Sequence, residues 1–250
     1  MLRAQGLTRR YGSLLALDRL NLDIGPGQIF GLLGPNGAGK TTTIKLMTGL
    51  LRPSEGSVQV GSYDLVTQPR EARRLIGYVA DDPHLYDKLT PVEFLRFSAE
   101  LYGVGAQSLP ERTQRLLHLF ELDGRGDYLI EGLSHGMKQK VALAGALVHE
   151  PRVLFLDEPT VGLDPKGART LKQILRHLAG KGVTVILSTH ILEIAERLCD
   201  RVAILAKGRL LATGTLAELK ERIGDKSLEE IFLEMTGGND SADIAAALDP

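Results

Sequence analysis

The chain has 250 residues, 43% of them hydrophobic, enough to bury a full core as one large domain or one domain with a lobe. Thirty Lys and Arg against 31 Asp and Glu leave a formal net charge of -1, so the overall balance points to neither nucleic acid nor an anionic membrane surface. Cys199 is the single cysteine, which excludes an intrachain disulfide and fits a reducing compartment; its expected role is core packing. In chain order, the opening "MLRAQGLTRRYG" lacks the apolar stretch of a signal peptide. No later segment reaches the ~18 apolar residues of a membrane span, so any membrane work is expected to need another chain.

Roughly the first 27 residues read as strands distinct from the α/β pattern of the rest of the chain. Next, "QIFGLLGPNGAGKTTTIKLMTGLL" places G-x-x-x-x-G-K-T, Gly34 to Thr41, after an apolar strand and before a helical run, the context of a P-loop. Gly34, Gly37 and Gly39 let the backbone wrap phosphates, Lys40 reaches the β and γ phosphates, and Thr41 holds Mg²⁺. A glycine-rich structural turn is the other reading of this stretch. The strand-like runs "SVQV", "RVLFLDE" and "VTVILST" alternate with helical runs, which argues for a mostly parallel α/β sheet.

Between Pro83 and Glu150 the β-branched runs vanish and helix starts appear. "TPVE" at Thr90 and "SLPE" at Ser108 fit the capping box, which predicts a helical lobe over about residues 84–150. Within it, "EGLSHGMKQKVALAGALVHEP" reads as a helix whose mouth, Ser134 to Gly136, carries no acidic side chain. Free N–H groups and the helix dipole there favour an anion; ordinary capping by Ser134 uses the same atoms. "RVLFLDEP" ends in two carboxylates, of which Asp157 suits Mg²⁺ and Glu158 suits orienting or deprotonating a water. Carboxylates at strand ends are also common surface features. "VTVILSTH" delivers His190 to a strand's carboxyl end, where open α/β sheets bind ligands, although a satisfied structural His would also fit.

"RVAILAKGRLLATGT" is two apolar runs around Lys207-Gly208 and predicts an antiparallel hairpin. "TLAE" at Thr215 and "SLEE" at Ser227 open C-terminal helices before "GGNDSADIAAALDP", residues 237–250, an acidic tail expected to be mobile. The expectation is an α/β P-loop NTPase core with an antiparallel β subdomain and an inserted α-helical subdomain, together spanning residues 1–236.

Taken together and in this order, the motifs resemble the nucleotide-binding subunit of ABC transporters over roughly the first 235 residues. The resemblance implies that Tyr11 stacks on adenine, although a half-buried strand aromatic would look the same in sequence. It makes Gly34, Pro35, Asn36, Gly37, Ala38, Gly39, Lys40, Thr41 and Thr42 the Walker A cradle for ATP. "LSHGM", with Ser134 and Gly136, corresponds to the signature motif and "LFLDEP" to Walker B. "VGLDP", with Asp164, is similar to the D-loop, and His190 to the switch histidine that contacts the γ phosphate. In that family two chains sandwich two ATP molecules, and each signature helix points at the phosphate held by the opposite P-loop.

Two departures stand out. "LSHGM" replaces the family's L-S-G-G-Q, with His135 for a Gly and Met137 for a Gln, a divergence typical of exporter-type cassettes. In "IGYVADDPHLYDKLT", Asp81 stands where the family has Gln, with Asp82 beside it. A shorter, charged group there would coordinate Mg²⁺ through water, or the pair are solvated loop acids.

The segment "DDPHLYDKLTPVEFLRFSAELYG" resembles cassettes partnered with separate ABC-2-type exporter membrane subunits. Tyr86, Phe94, Phe97 and Tyr102 then belong to a docking groove, or form a core-facing stripe. The implied function is hydrolysis of Mg-ATP in an ATP-dependent homodimer, driving export through a transmembrane permease on a separate chain. The expected place is cytoplasmic, on the inner face of the cell membrane. Import uses the same motor and stays open. A soluble cassette ATPase acting on ribosomes or DNA would carry two cassettes, long heptad insertions or a basic excess, none of which the chain has, so no nucleic-acid partner is expected. A P-loop kinase would leave "LSHGM" and "STH" without a purpose.

Overall fold

The computed structural model describes residues 1–224 and 226–237. The expected tail over 237–250 lies, past Gly237, outside them. In chain order come β1 (Leu2–Tyr11), β2 (Leu14–Ile24), β3 (Ile29–Leu33), α1 (Lys40–Met47), β4 (Glu55–Val60), β5 (Tyr63–Asp64), α2 (Pro69–Arg74) and β6 (Ile76–Val79). Helices α3 (Pro91–Leu101), α4 (Leu109–Leu119) and α5 (His135–Leu147) come next without an intervening strand. The chain continues through β7 (Val153–Asp157), α6 (Pro165–Gly180), β8 (Thr184–Thr189), α7 (Leu192–Leu198), β9 (Arg201–Ala206) and β10 (Arg209–Gly214), then α8 (Leu216–Ile223) and α9 (Leu228–Thr236).

The strands form two sheets. A six-stranded sheet in the order β10-β9-β3-β8-β7-β6 is parallel except for β10. Every residue of β3, β7 and β8 is buried, because helices or the second sheet cover both faces, and the strands are accordingly mostly apolar, with Asp157, Thr184, Ser188 and Thr189 the buried polar residues at the ends of β7 and β8. The second sheet, β2-β1-β4-β5, is antiparallel. "SVQV" is β4 and belongs here, not to the parallel sheet as the sequence predicts. Val58 and Val60 point inward while Gln59 faces solvent, the alternation of a strand wet on one side.

Side chains alternate across the parallel strands and feed two cores. Phe30, Leu32, Phe155 and Ile186 pack with Leu7, Leu17 and Ile44, towards the antiparallel sheet and α1. Ile29, Leu33, Leu154, Leu156 and Leu187 pack with the helices, and Leu95, Ala99, Leu117 and Val141 extend that core through α3, α4 and α5. Cys199, just past α7, is buried in the helix-side core, and burial pushes its thiol up to about 12.

Thr90, Thr215 and Ser227 each form the full capping box, with Glu93, Glu218 and Glu230 as the reciprocal partners. Ser108 does not. Its backbone is already helical and its hydroxyl donates to the Gly105 carbonyl (3.2 Å), so it closes the preceding turn and leaves Glu111 without a cap partner. Lys207 and Gly208 both take positive φ, the geometry of a tight hairpin turn between β9 and β10. No described helix is long and apolar enough to cross a membrane.

Candidate functional site

The parallel strands β3 and β7 flank β8, and the loops beyond the carboxyl ends of these strands carry the polar side chains. After Leu33, Gly34 packs so closely that a Cβ would lie 2.4 Å from the Leu205 carbonyl oxygen. Gly39, at φ 103, turns the chain into α1 and provides no side-chain cap, and the first turn of α1 carries no acid. The helix mouth therefore presents uncapped N–H groups and a positive end to the space above it. Lys40 is largely buried, and its ammonium donates to the Gly34 (2.7 Å) and Pro35 (3.3 Å) carbonyls.

A cavity of about 610 Å³ opens over this loop. Tyr11, Pro35 to Thr42, Asp81, Asp157 and Glu158 all line it, so residues spread over most of the chain converge there. A cavity of about 700 Å³ lies in the helical segment beside α3 and α4, with mostly apolar walls and none of the predicted site residues.

At the end of β7, Asp157 is buried and accepts a hydrogen bond from the Ser188 hydroxyl on β8. Ser188 also receives the Glu158 N–H, on its carbonyl and on its hydroxyl (both 3.2 Å). Sequence reasoning missed Ser188. Its signal was a polar residue following the apolar run Val185 to Leu187, and pairing of β7 with β8 sets it opposite Asp157. Glu158 sits at φ 48, a left-handed backbone that costs a non-glycine residue on the order of 1 kcal/mol. That turn aims its carboxylate at His190: Oε1 meets Nδ1 at 2.9 Å, while Oε2 is buried without a protein partner among the described residues.

Asp81 faces this cavity from the end of β6. Asp82 instead lines a separate cavity with His84, Asp87, His135 and Lys138. Asp81 is held above the usual carboxylate range, first by burial of the carboxyl and then by Asp157, Glu158 and Asp82, with His190 opposing. Tyr78 is pushed up to about 12, first by burial and then by Asp157 and Asp81.

Ser134, Gly136 and Asp164 do not line the cavity. Ser134 caps α5, accepting from the Met137 N–H at 3.4 Å, and Asp164 caps α6, accepting from the Gly167 N–H at 2.8 Å. These two helix mouths touch each other. A Cβ on Gly136 would lie 3.1 Å from the Gly162 carbonyl oxygen, and the His135 ring covers the face of Gly162.

Among the described residues no three His, Cys, Asp or Glu side chains converge as a ready metal cage. The donors at the cavity are hard oxygens, those of Thr41, Asp81 and Asp157, a set that suits a small hard cation sharing its coordination with phosphate oxygens.

The sequence model of the ABC transporter family matches residues 17–161. The chain belongs to the ABC transporter family. It is an ATPase with the ATP-binding cassette fold of that family. The probable multidrug ABC transporter ATP-binding protein of Escherichia coli is 39% identical over 240 residues, a match covering 94% of this chain but only 41% of that protein. An ABC-type transporter ATP-binding protein of Bacillus subtilis, EcsA, is 37% identical over 94% of this chain and 96% of its own. A solved ATP-binding subunit of an ABC transporter superposes with a TM-score of 0.89 at 36% identity, over 94% of this chain and 99% of that one. A dimeric cassette in a post-hydrolysis state, bound to ADP and Pi, superposes with a TM-score of 0.80 at 27% identity, over 86% of this chain and 99% of that one.

Proposed function

We propose that this cassette hydrolyses Mg-ATP as a nucleotide-sandwich homodimer and drives export through a separate transmembrane permease. One observation carries the reading: the cavity over the P-loop gathers Lys40, Asp157 and Glu158, yet Ser134, Gly136 and Asp164 lie outside it in the same chain. An uncapped phosphate cradle and a second anion-favouring helix mouth, both present and apart, complete each other across two copies. The solved dimeric relative with ADP and Pi supports this reading.

The backbone N–H groups from Asn36 to Thr42 would surround the triphosphate, with Gly34 and Pro35 shaping the turn, and the Lys40 ammonium would exchange its two carbonyl partners for phosphate oxygens. Mg²⁺, held by Thr41 and Asp157 with Asp81 reaching it through water, would supply neutralisation of the developing phosphate charge. Glu158 is the general base: Oε2 is free to take a proton from the attacking water while His190 steadies Oε1. Ser188 fixes Asp157 by its hydroxyl and the Glu158 backbone by its carbonyl, holding two carboxylates apart in role. Tyr11, at the cavity's edge, offers its ring to adenine.

The catalytic unit is residues 1–236, and the segment over about 84–150 carries Ser134 to the partner copy. A cavity of about 390 Å³ between that segment and the sheet, with Pro83, Leu85, Phe94, Leu101 and Tyr102 in its wall, would receive the permease. Phe94 and Tyr102 are thus groove-lining, while Tyr86 and Phe97 meet edge to face at 5.2 Å. Docked there, the cassette works at the inner face of the membrane. Export is favoured because relatives are named for multidrug transport and for drug resistance.

The test uses Glu158→Gln, which keeps shape but removes the base. With Mg-ATP it should shift from monomer to dimer in size-exclusion chromatography with light scattering. Adding Ser134→Arg, which places a long cationic side chain in the cleft, should abolish the shift. If the double variant dimerises as well as the single one, Ser134 only caps α5 and the sandwich reading fails.

A further inference from the structure

We propose that Arg9 is a positioning residue for the nucleotide base, acting through Tyr11; this rests on the reading of Tyr11 as the adenine-stacking ring. Arg9 and Tyr11 are two residues apart on β1, and the Arg9 guanidinium lies 4.5 Å from the centre of the Tyr11 ring. The guanidinium is anchored from behind: Nη1 donates to the Arg52 carbonyl at 2.9 Å, and Nε is buried without a partner among the described residues. Neighbouring Arg10 is exposed, and it is its backbone N–H that donates to Ser54 Oγ. Arg9 is therefore built into the sheet rather than solvated on it.

Tyr11 lines the P-loop cavity with Leu14, Leu15 and Ala16, whereas Arg9 does not. One face of the ring is thus occupied by a cation, and the other is the face left for a ligand. A tyrosine that is 46% exposed at a strand end would otherwise sample several rotamers, and ordering it would cost binding energy each time a base arrived. A guanidinium seated over the ring removes that freedom in advance and adds a cation–π contact. Base, tyrosine and guanidinium then form a three-layer stack anchored on the Arg52 carbonyl.

The test separates base from phosphate. Calorimetric affinities for ATP and for inorganic tripolyphosphate would be compared in wild type, Arg9→Met, Arg9→Lys and Tyr11→Ala, with a melting curve for each. Arg9→Met should cut the ATP-to-tripolyphosphate affinity ratio by about two- to five-fold while leaving tripolyphosphate binding unchanged. Arg9→Lys, which keeps the charge and the stem but not the plane, should fall between, and it carries the test if Arg9→Met melts early. Because the chain has no tryptophan, Tyr11→Trp supplies a single emission reporter, and its response to ATP should shrink when Arg9→Met is added. An equal loss of both ligands in Arg9→Met would reduce Arg9 to a remote phosphate attractor and overturn the proposal. A collapsed ratio in Tyr11→Ala with a normal ratio in Arg9→Met would overturn the role of Arg9 alone. A normal ratio in Tyr11→Ala would overturn the adenine-stacking reading and the proposal with it.

Discussion

Lys40 reaches the cavity from the first turn of α1, and the Gly34 and Pro35 carbonyls already hold its ammonium where phosphates would arrive. Lys40→Ala removes the main cation of the cradle from the first turn of α1, at a position that belongs to neither hydrophobic core. Turnover should fall about a hundred-fold or more, with little change in melting temperature, in paired hydrolysis and thermal-melt measurements. Asp81 poses a different question, since Asp157 and Glu158 raise its pKa and a cation in the cavity would relieve that repulsion. If that cation is Mg²⁺, Asp81→Ala should raise the Mg²⁺ needed for half-maximal turnover clearly more than Asp82→Ala, whose side chain faces a different cavity. Equal, small effects in a Mg²⁺ titration would make both residues solvated loop acids.

Among the elements, β3 carries a tight side-chain constraint. It lies at the centre of the parallel sheet, between β8 and β9, and the residue after α7 presses on it. A Cβ on Gly31 would lie 2.8 Å from the Cys199 sulfur and 3.1 Å from Val202 Cγ1. Gly31→Ala should therefore destabilise the cassette by about 1–3 kcal/mol, as overpacking does in a close-packed core. Cys199→Ala removes the sulfur that clashes, so the double variant should recover most of that loss. A denaturant-unfolding double-mutant cycle checks it, and strict additivity would mean that the clash is relieved elsewhere. The same contact explains the cysteine: its thiol, buried and pushed up to about 12, is a packing group and not a nucleophile.

For the whole molecule, the join between the helical segment and the parallel sheet matters most, because it sets where Ser134 is carried. His149, after α5, sits in that join. Its ring stacks on Tyr102 at 3.6 Å, and Nε2 bonds the Ile76 carbonyl at 2.9 Å. Burial lowers its pKa, the Ile76 hydrogen bond opposes the shift, and Arg112 adds to it. The folded state thus binds this proton less readily than the unfolded chain. Its contribution to stability is complete above the ordinary histidine value and is lost as pH falls from there through the depressed folded value. His149→Phe keeps a ring on Tyr102 but cannot be protonated, so its melting temperature should fall less than that of wild type between about pH 7 and about pH 5. Parallel curves would place the acid sensitivity in other groups.

The sequence by itself determined what short-range physics encodes. The apolar runs within β3, β7 and β8, alternating with helical runs, announce a mostly parallel α/β sheet, and Thr90, Thr215 and Ser227 mark helix starts because a capping box spans only four residues. The loop from Gly34 to Thr41 was legible for the same reason, since a phosphate cradle is contiguous chain. Tertiary structure decided the rest. It assigned "SVQV" to the antiparallel sheet, turned the Ser108 hydroxyl back to Gly105, and chose Asp81 over Asp82 to face the cavity. It set Ser188 against Asp157 across 31 residues and anchored Arg9 to Arg52 across 43. It also left Ser134, Gly136 and Asp164 outside the cavity that their motifs are read as serving. Each of these depends on strand order and on which remote segments share a face, and neither is encoded in the few residues over which a sequence pattern acts.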